Sequence, residues 1–174
     1  LALFNATAPH VDAADAAELS RAVAADAAAW ASDYGANRDV TGMACERNIL
    51  RYRPTPVLVR AGSGTALADT VRVLAAGILA GGPIGLSVAD QLPSAVLELA
   101  EAAGIEVTIE DARSWDARLA MVATSGGLGM RVRVLGPREE SSEDRWERAS
   151  RASMGSPDVA LYTGAVTPCP HTEL

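Results

Sequence analysis

Residues 69–90, DTVRVLAAGILAGGPIGLSVAD, contain a complete handover from helix to strand. Apolar residues run through an amphipathic helix, Leu67 to Ala80, that Gly81-Gly82 stops; Pro83 to Val88 then reads as a short buried strand. Upstream, Val57-Leu58-Val59 is a strand, and Ala61-Gly62-Ser63-Gly64-Thr65 is a tight strand-to-helix turn. Downstream the alternation repeats. Pro93 to Ala103 is a helix with proline in its first turn and Gly104 at its end. Ile105 to Ile109 is a strand, with Glu106 and Thr108 alternating against apolar neighbours. Asp111 to Thr124 is helical, and Ser125-Gly126-Gly127 breaks it. Met130 to Leu135 is a fourth strand with Arg131 and Arg133 on one side. Pro137 to Ala152 is a charged helix, and Pro157 to Tyr162 a fifth strand. Strands alternating with helices of this length predict right-handed crossovers. The fold class is therefore α/β, a Rossmann-like three-layer domain with a mostly parallel sheet of about five strands.

The N-terminal part adds one helix to this unit. Leu1 to Val11 shows no period and reads as an extended lead-in. Asp12 to Tyr34 is a helix, capped by Asp12 or Asp15, with Glu18 three residues beyond Asp15. Leu19, Val23, Ala27, Trp30 and Tyr34 form its apolar face. Gly35 ends it in the left-handed position that helix termini favour. Residues 36–42 are polar and loop-like. Residues 42–54 are dense in arginine, and Pro54-Thr55-Pro56 is extended. The organisation is thus a lead-in and packing helix over 1–41 and an α/β domain over 42–174. Together they form one structural domain, which reads as a piece of a longer polypeptide.

The totals exclude several functions. Of 174 residues, 49% are apolar but only 4% aromatic, so alanine and valine carry the core through many small contacts. The net charge of −7 argues against a nucleic-acid binder. All 15 basic residues are arginine, which removes Schiff-base chemistry and a phosphate-loop lysine. Cys45 and Cys169 are too few and too far apart for a disulfide framework, and favour a reducing cytosol. The N-terminus lacks the pattern of a signal peptide. The longest apolar tract, Val71 to Ala89, is interrupted by Arg72, glycines and Pro83 and cannot be a transmembrane segment.

Candidate sites are few. Gly62, Ser63, Gly64 and Thr65 lie where a doubly wound fold binds phosphate on a helix N-terminus. They are the cofactor-binding candidates, but the third glycine of the dinucleotide fingerprint is replaced by Leu67. No acidic residue closes the second strand; Ser87 and Asp90 are the nearest polar groups. The Ser125–Gly129 run lies after a helix, on the wrong side for a ligand, and reads as a surface loop. Cys45 beside Glu46 has no histidine near it and reads as a buried small hydrophobe rather than a nucleophile. Cys169 and His171 supply two ligands where structural zinc needs four, and nothing in the sequence ties His10 to them as a third. No catalytic or metal residue is therefore assigned. Glu46, Arg47, Arg51 and Arg53 read as an ion-pair network tying a loop to the domain, with an anion site as the rival. Arg138, Glu139, Glu140, Glu143, Arg145, Glu147, Arg148 and Arg151 make a solvated helix face. Trp30, Tyr34 and Tyr52 are either core residues or contact anchors.

The segment GMACERNILRYRPTPVLVR, residues 42–60, resembles the ERN-x-x-RYRP-x-x-VxVR segment near the C-terminus of actinobacterial bifunctional proline dehydrogenase / L-glutamate γ-semialdehyde (pyrroline-5-carboxylate) dehydrogenases. LADTVRVLAAGILAGGPIGLSVADQLP resembles that family's next helix and strand, and PDVALYTGAVTPCPHTEL its last strand, so the likeness covers residues 12–174. It implies a further Rossmann-like domain of the aldehyde dehydrogenase superfamily, placed after the catalytic module. The family's Gly-Gln-x-Cys nucleophile and Glu-x-Gly-Gly base motifs are absent, so no catalytic residue carries over. The resemblance implies NAD and FAD for the full-length enzyme and none in this chain. It implies the upstream dehydrogenase modules as partners. The domain's role there would be packing on them, covering the route of the aldehyde intermediate, or supporting a homo-oligomer. A free-standing nucleotide-binding or dimerisation domain is the alternative reading.

Overall fold

A computed structural model describes residues 2–125 and 129–166. The N-terminal part is helical. Helix α1 spans Ala2–Thr7, a 3-10 turn covers Ala8–His10, and α2 spans Ala13–Ala29. A two-residue ladder, β1 (Arg38–Asp39) against β2 (Ile49–Leu50), comes next and stands apart from the main sheet. The α/β unit then runs β3 (Val57–Ala61), α3 (Leu67–Ala80), β4 (Ile84–Val88), α4 (Ser94–Ala102), β5 (Glu106–Ile109), α5 (Ala112–Thr124), β6 (Met130–Leu135), α6 (Ser142–Ala152) and β7 (Val159–Tyr162).

The main sheet has the order β5-β4-β3-β6-β7, and every pairing in it is parallel. The chain starts at the central strand, moves out through β4 to β5, then returns across to β6 and β7. Strand β3 is therefore hydrogen-bonded on both sides, Val59 pairing with Leu86 in one direction and with Arg133 in the other. Successive side chains of a strand point to opposite faces, so β3 feeds two cores. Val59 and Ala61 join Leu86 and Val88 of β4, Val71 and Leu74 of α3, and Val96 of α4. Leu58 joins Val132 and Val134 of β6, Trp115 and Leu119 of α5, and Ala149 of α6. These two clusters make the three layers.

The N-terminal helices pad the first of those faces. Leu3 of α1 and Leu19 of α2 belong to the same core as Val59, so the first residues are helical and packed rather than an extended lead-in. Asp12 caps α2, accepting from the Asp15 backbone N–H at 2.8 Å. The buried side of α2 is Leu19, Ala22 and Asp26, while Ala27 is exposed. Leu19 and Val23 of the expected apolar face do meet the core, but one turn on the buried position is Asp26 instead of Ala27, because the helix presents a carboxylate, not a methyl group, to its neighbour. Asp26 forms a two-pronged pair with Arg72 of α3, including Arg72 Nη2 to Asp26 Oδ1 at 2.9 Å. Both side chains are almost wholly buried.

Helix α2 ends in a π-helical turn, Trp30–Tyr34, followed by Gly35. Gly35 has φ −83°, not the left-handed conformation expected of it. Its lack of a side chain matters for space: a Cβ there would lie 2.8 Å from Trp30 Nε1. Gly81 does take the left-handed role, with φ +73°, and its N–H closes α3 onto the Gly77 and Ile78 carbonyls. Helix α6 begins later than its charged run. Ser141 is its cap, accepting from the Asp144 N–H, and Pro137–Glu140 form the preceding turn. No helix among the described residues is long and apolar enough to cross a membrane.

The Asp26–Arg72 pair can be tested by substitution. Removing one member of a buried pair strands the other charge in low dielectric, at a cost of about 3–5 kcal/mol, whereas an apolar replacement of both is close to neutral. Asp26→Ala should therefore destabilise the chain by that amount in urea unfolding. Asp26→Leu combined with Arg72→Met should recover most of the loss. A double variant as unstable as the single one would show that the pair is not the relevant contact.

Candidate functional site

In an open α/β sheet, ligands bind beyond the carboxyl ends of the strands, where the chain reverses its direction of progress across the sheet. In this sheet that point lies between β3 and β6. From β3 it receives the turn Gly62–Thr65, and from β6 the turn Gly136–Arg138. The backbone N–H of Gly62 donates to the Leu135 carbonyl at 3.1 Å and knits the two turns together.

The glycine turn is engaged with its own chain. Gly64 N–H donates to Asp90 Oδ2 at 2.8 Å, and Ser63 Oγ lies 3.2 Å from Asp90 Oδ1. Thr65 directs both its N–H and its hydroxyl to the Gly62 carbonyl, the latter at 2.7 Å. Asp90, which follows β4, thus places a carboxylate where this kind of turn offers its donors to an anion. The glycines meet local demands as well. Gly64 has φ +75°, and a Cβ on it would sit 3.3 Å from the Pro137 ring. A Cβ on Gly62 would sit 3.2 Å from the Leu135 carbonyl oxygen.

Beside this turn is a cleft of about 390 Å³ between α2, α3, the end of β6 and α6. Leu19, Ala22, Ala68 and Leu135 give it apolar walls, and six charged side chains surround them: Asp15, Glu18, Asp69, Arg72, Arg138 and Arg145. Arg138 straps its mouth, with Nη2 at 2.8 Å from both Asp15 of α2 and Asp69 of α3. Those hydrogen bonds, Asp69 first and then Asp15, raise the pKa of its guanidinium well above the ordinary arginine value. Arg145, expected on a solvated helix face, is instead 6% exposed. Its Nε donates to the Thr163 carbonyl, and its Nη1 to the carbonyls of Pro137 and Glu140. It turns inward to carbonyls of the turn before α6 and of the residue after β7, tying the two segments together.

A second polar cluster occupies the other face of the sheet. Arg60 of β3 is 4% exposed and donates to Ser87 Oγ at 2.7 Å and to the Glu110 carbonyl at 3.0 Å. Ser87 Oγ in turn contacts Glu110 Oε1 at 2.6 Å, and Arg118 pairs with the same carboxylate. The guanidinium carbons of Arg60 and Arg118 lie 5.5 and 5.4 Å from the Trp115 ring centroid. Burial lowers the Arg60 pKa, with the Glu110 charge opposing it. Every member of this cluster is engaged with another, and Ser87 is fully buried, so the arrangement braces the sheet.

The arginine-dense segment lies elsewhere. Residues 37–54 are all exposed and carry the β1–β2 hairpin. Arg47, Arg51 and Arg53 form no ion pair among the described residues, so the expected ionic network is not what holds this loop. Glu46 instead accepts from Asn48 Nδ2 at 2.9 Å. The hairpin is held by Asp39, which accepts from the N–H groups of Thr41 and Gly42 at 3.2 and 3.1 Å. At its root Tyr52 packs on Tyr34, ring centroids 5.0 Å apart, and Trp30, the third candidate anchor, is half-buried. Cys45 is a free thiol on the exposed arm, not a buried hydrophobe. His10 is exposed in its 3-10 turn. Cys169 and His171 lie outside the described residues, among which no metal-binding group of three ligands exists. Pattern reading misses Asp26, Arg60, Arg72 and Arg145 as buried polar groups. The legible signal is a lone charge in an otherwise apolar stretch, as Arg72 is within α3.

Gly64→Val, forced into a left-handed backbone beside Pro137, should cost about 1–3 kcal/mol in denaturant unfolding; an unchanged midpoint would show that the turn relaxes freely. In the hairpin, the hydrogen bonds to Asp39, that from Gly42 foremost, hold its carboxyl below the ordinary aspartate value. A depressed folded pKa stabilises the hairpin above the ordinary value, and the effect is lost as pH falls through the depressed one. Thr41 and Gly42 amide protection, corrected for intrinsic exchange, should hold from neutral pH down to the carboxylate range and fall below it. Asp39→Asn should abolish that dependence, and a fall centred near neutrality would contradict the assignment. In comparisons with known proteins, no family model matches the chain, and no curated protein or solved structure is significantly similar to it.

Proposed function

We propose that this chain is a non-catalytic, Rossmann-like C-terminal domain of an NAD-dependent proline-catabolic enzyme. In this reading it packs on the aldehyde dehydrogenase module and covers or stabilises it while proline is converted to glutamate. The observation that carries the reading is the hairpin arm. Val40, Met43, Ile49, Leu50 and Tyr52 are all between 45% and 64% exposed on one protruding segment. A two-stranded ladder is marginal alone, and clustered apolar side chains on an arm mark an interaction site. The same arm carries the residues on which the resemblance to the proline enzymes rests. The engaged donors of the glycine turn favour packing over cofactor chemistry within this chain. A lid that keeps an aldehyde from bulk water needs a close-fitting surface, not reactive groups.

The test uses the chain and the aldehyde dehydrogenase module made as separate polypeptides. Ile49→Asp with Leu50→Asp should weaken their association at least about tenfold, since buried apolar anchors dominate interface energy. It should change the stability of the chain by no more than about 0.5 kcal/mol, as exposed substitutions do. The chain alone should not reduce NAD with glutamate semialdehyde. Turnover above background that survives loss of both cysteines would overturn the proposal. A stable dimer in sedimentation, broken by the same double substitution and indifferent to the dehydrogenase module, would instead favour the self-association reading.

A further inference from the structure

We propose that the cleft beneath Arg138 is a binding site for a small carboxylic acid with an apolar body, its carboxylate held by Arg145. The inference rests on how charge is shared around the cleft and is independent of the hairpin. Each acidic wall residue already faces a cation: Arg138 bridges Asp15 and Asp69, and Glu18 pairs with Arg21. Arg72 is matched by Asp26. Arg145 is the exception. Three of its contacts are to neutral carbonyls, and its nearest carboxylate oxygen is Glu140 Oε2 at 3.8 Å. Glu140 is itself engaged by Arg148, which pairs with its other oxygen. A guanidinium 6% exposed is thus left with a share of one carboxylate.

Its donors are likewise not exhausted. Nε and Nη1 of Arg145 are occupied, and Nη2 donates to none of the described residues. Arg72, 3% exposed and lining the same cleft, has a buried Nε with no partner. For the open Arg145 donor a carboxylate is a stronger, charge-assisted acceptor than a neutral oxygen, and a cation offers no acceptor at all. The walls supply the remainder of the specificity. Leu19, Ala22, Ala68 and Leu135 suit an aliphatic body, and the cleft is at the small end of the volumes that ligand sites occupy. Its place at the carboxyl edge beside the switch from β3 to β6 is where this architecture positions ligands. Gly164 and Ala165 at the rim are exposed, so the cleft opens to solvent there.

The experiment is an amide-resolved NMR titration of the full chain with 4-methylpentanoate, compared with the isosteric neutral 4-methylpentanamide. The acid should give saturable shifts at Gly136, Gly164 and Ala165, and the amide should bind at least about tenfold more weakly. Ala165→Trp, which fills the rim from an exposed position, should abolish the shifts and leave the rest of the spectrum in place. Arg145→Gln should weaken binding by a similar tenfold factor. Should that variant fail to fold, because it uncaps three carbonyls, the acid–amide comparison on the unaltered chain still decides. Equal affinity for acid and amide, shifts that do not saturate, or saturable binding untouched by Ala165→Trp would each overturn the proposal.

Discussion

Strand β3 has neighbours on both edges and apolar layers on both faces. A strand so placed cannot leave backbone groups unpaired or tolerate an outward-facing polar side chain without a partner. Its five residues therefore set the conditions that the rest of the chain meets. Val59 and Ala61 require α3 and α4 on one side, while Leu58 requires α5 and α6 on the other. Arg60 points into the second face as well, and Ser87, Glu110 and Trp115 are gathered around its guanidinium. The polar cluster on that face is a response to a charge fixed by alternation, in the same way that Asp26 answers Arg72 on the first face.

The two sides of the switch point have been resolved differently. The glycine turn is closed by Asp90 from the same chain, so its geometry serves the junction between β3 and β6. The neighbouring cleft keeps arginine donors that its own chain does not fully occupy. Binding capacity in this domain therefore lies next to the customary phosphate position. The N-terminal helix α2 makes the difference, since it adds a wall that a bare doubly wound sheet lacks.

Much of the architecture is legible from periodicity and glycine stops. Helix α3 and strand β6 fall where the sequence places them, because Gly81 and the flanking turns punctuate unambiguous apolar runs. Legibility fails where a tertiary partner overrides a local pattern. Leu3 lies in a segment without period, yet it joins the core because α3 and α4 offer it a groove. Arg145 sits in a run of alternating charges that reads as solvated, and only the carbonyls of the turn before α6 and of Thr163 after β7 draw it inward. Ala27 fits an apolar stripe that Asp26 displaces, since ion pairing across helices leaves no trace in the spacing of one helix. The hairpin residues announce nothing either, because two strands of two residues are below any periodic signal.

The π-helical turn at Trp30–Tyr34 bears on more than the end of α2. Each residue of an α-helix advances about 100° around the axis, so widening a single turn rotates everything beyond it by the equivalent of an inserted residue. Tyr34, and with it the Tyr52 contact and the root of the exposed arm, takes its bearing from that wider turn. The arm's azimuth relative to the sheet is therefore an angular variable written in the winding of one helical turn. It can be changed by a single inserted or deleted residue without disturbing either core. A family of such domains could present the same arm to differently placed partner surfaces by this means alone.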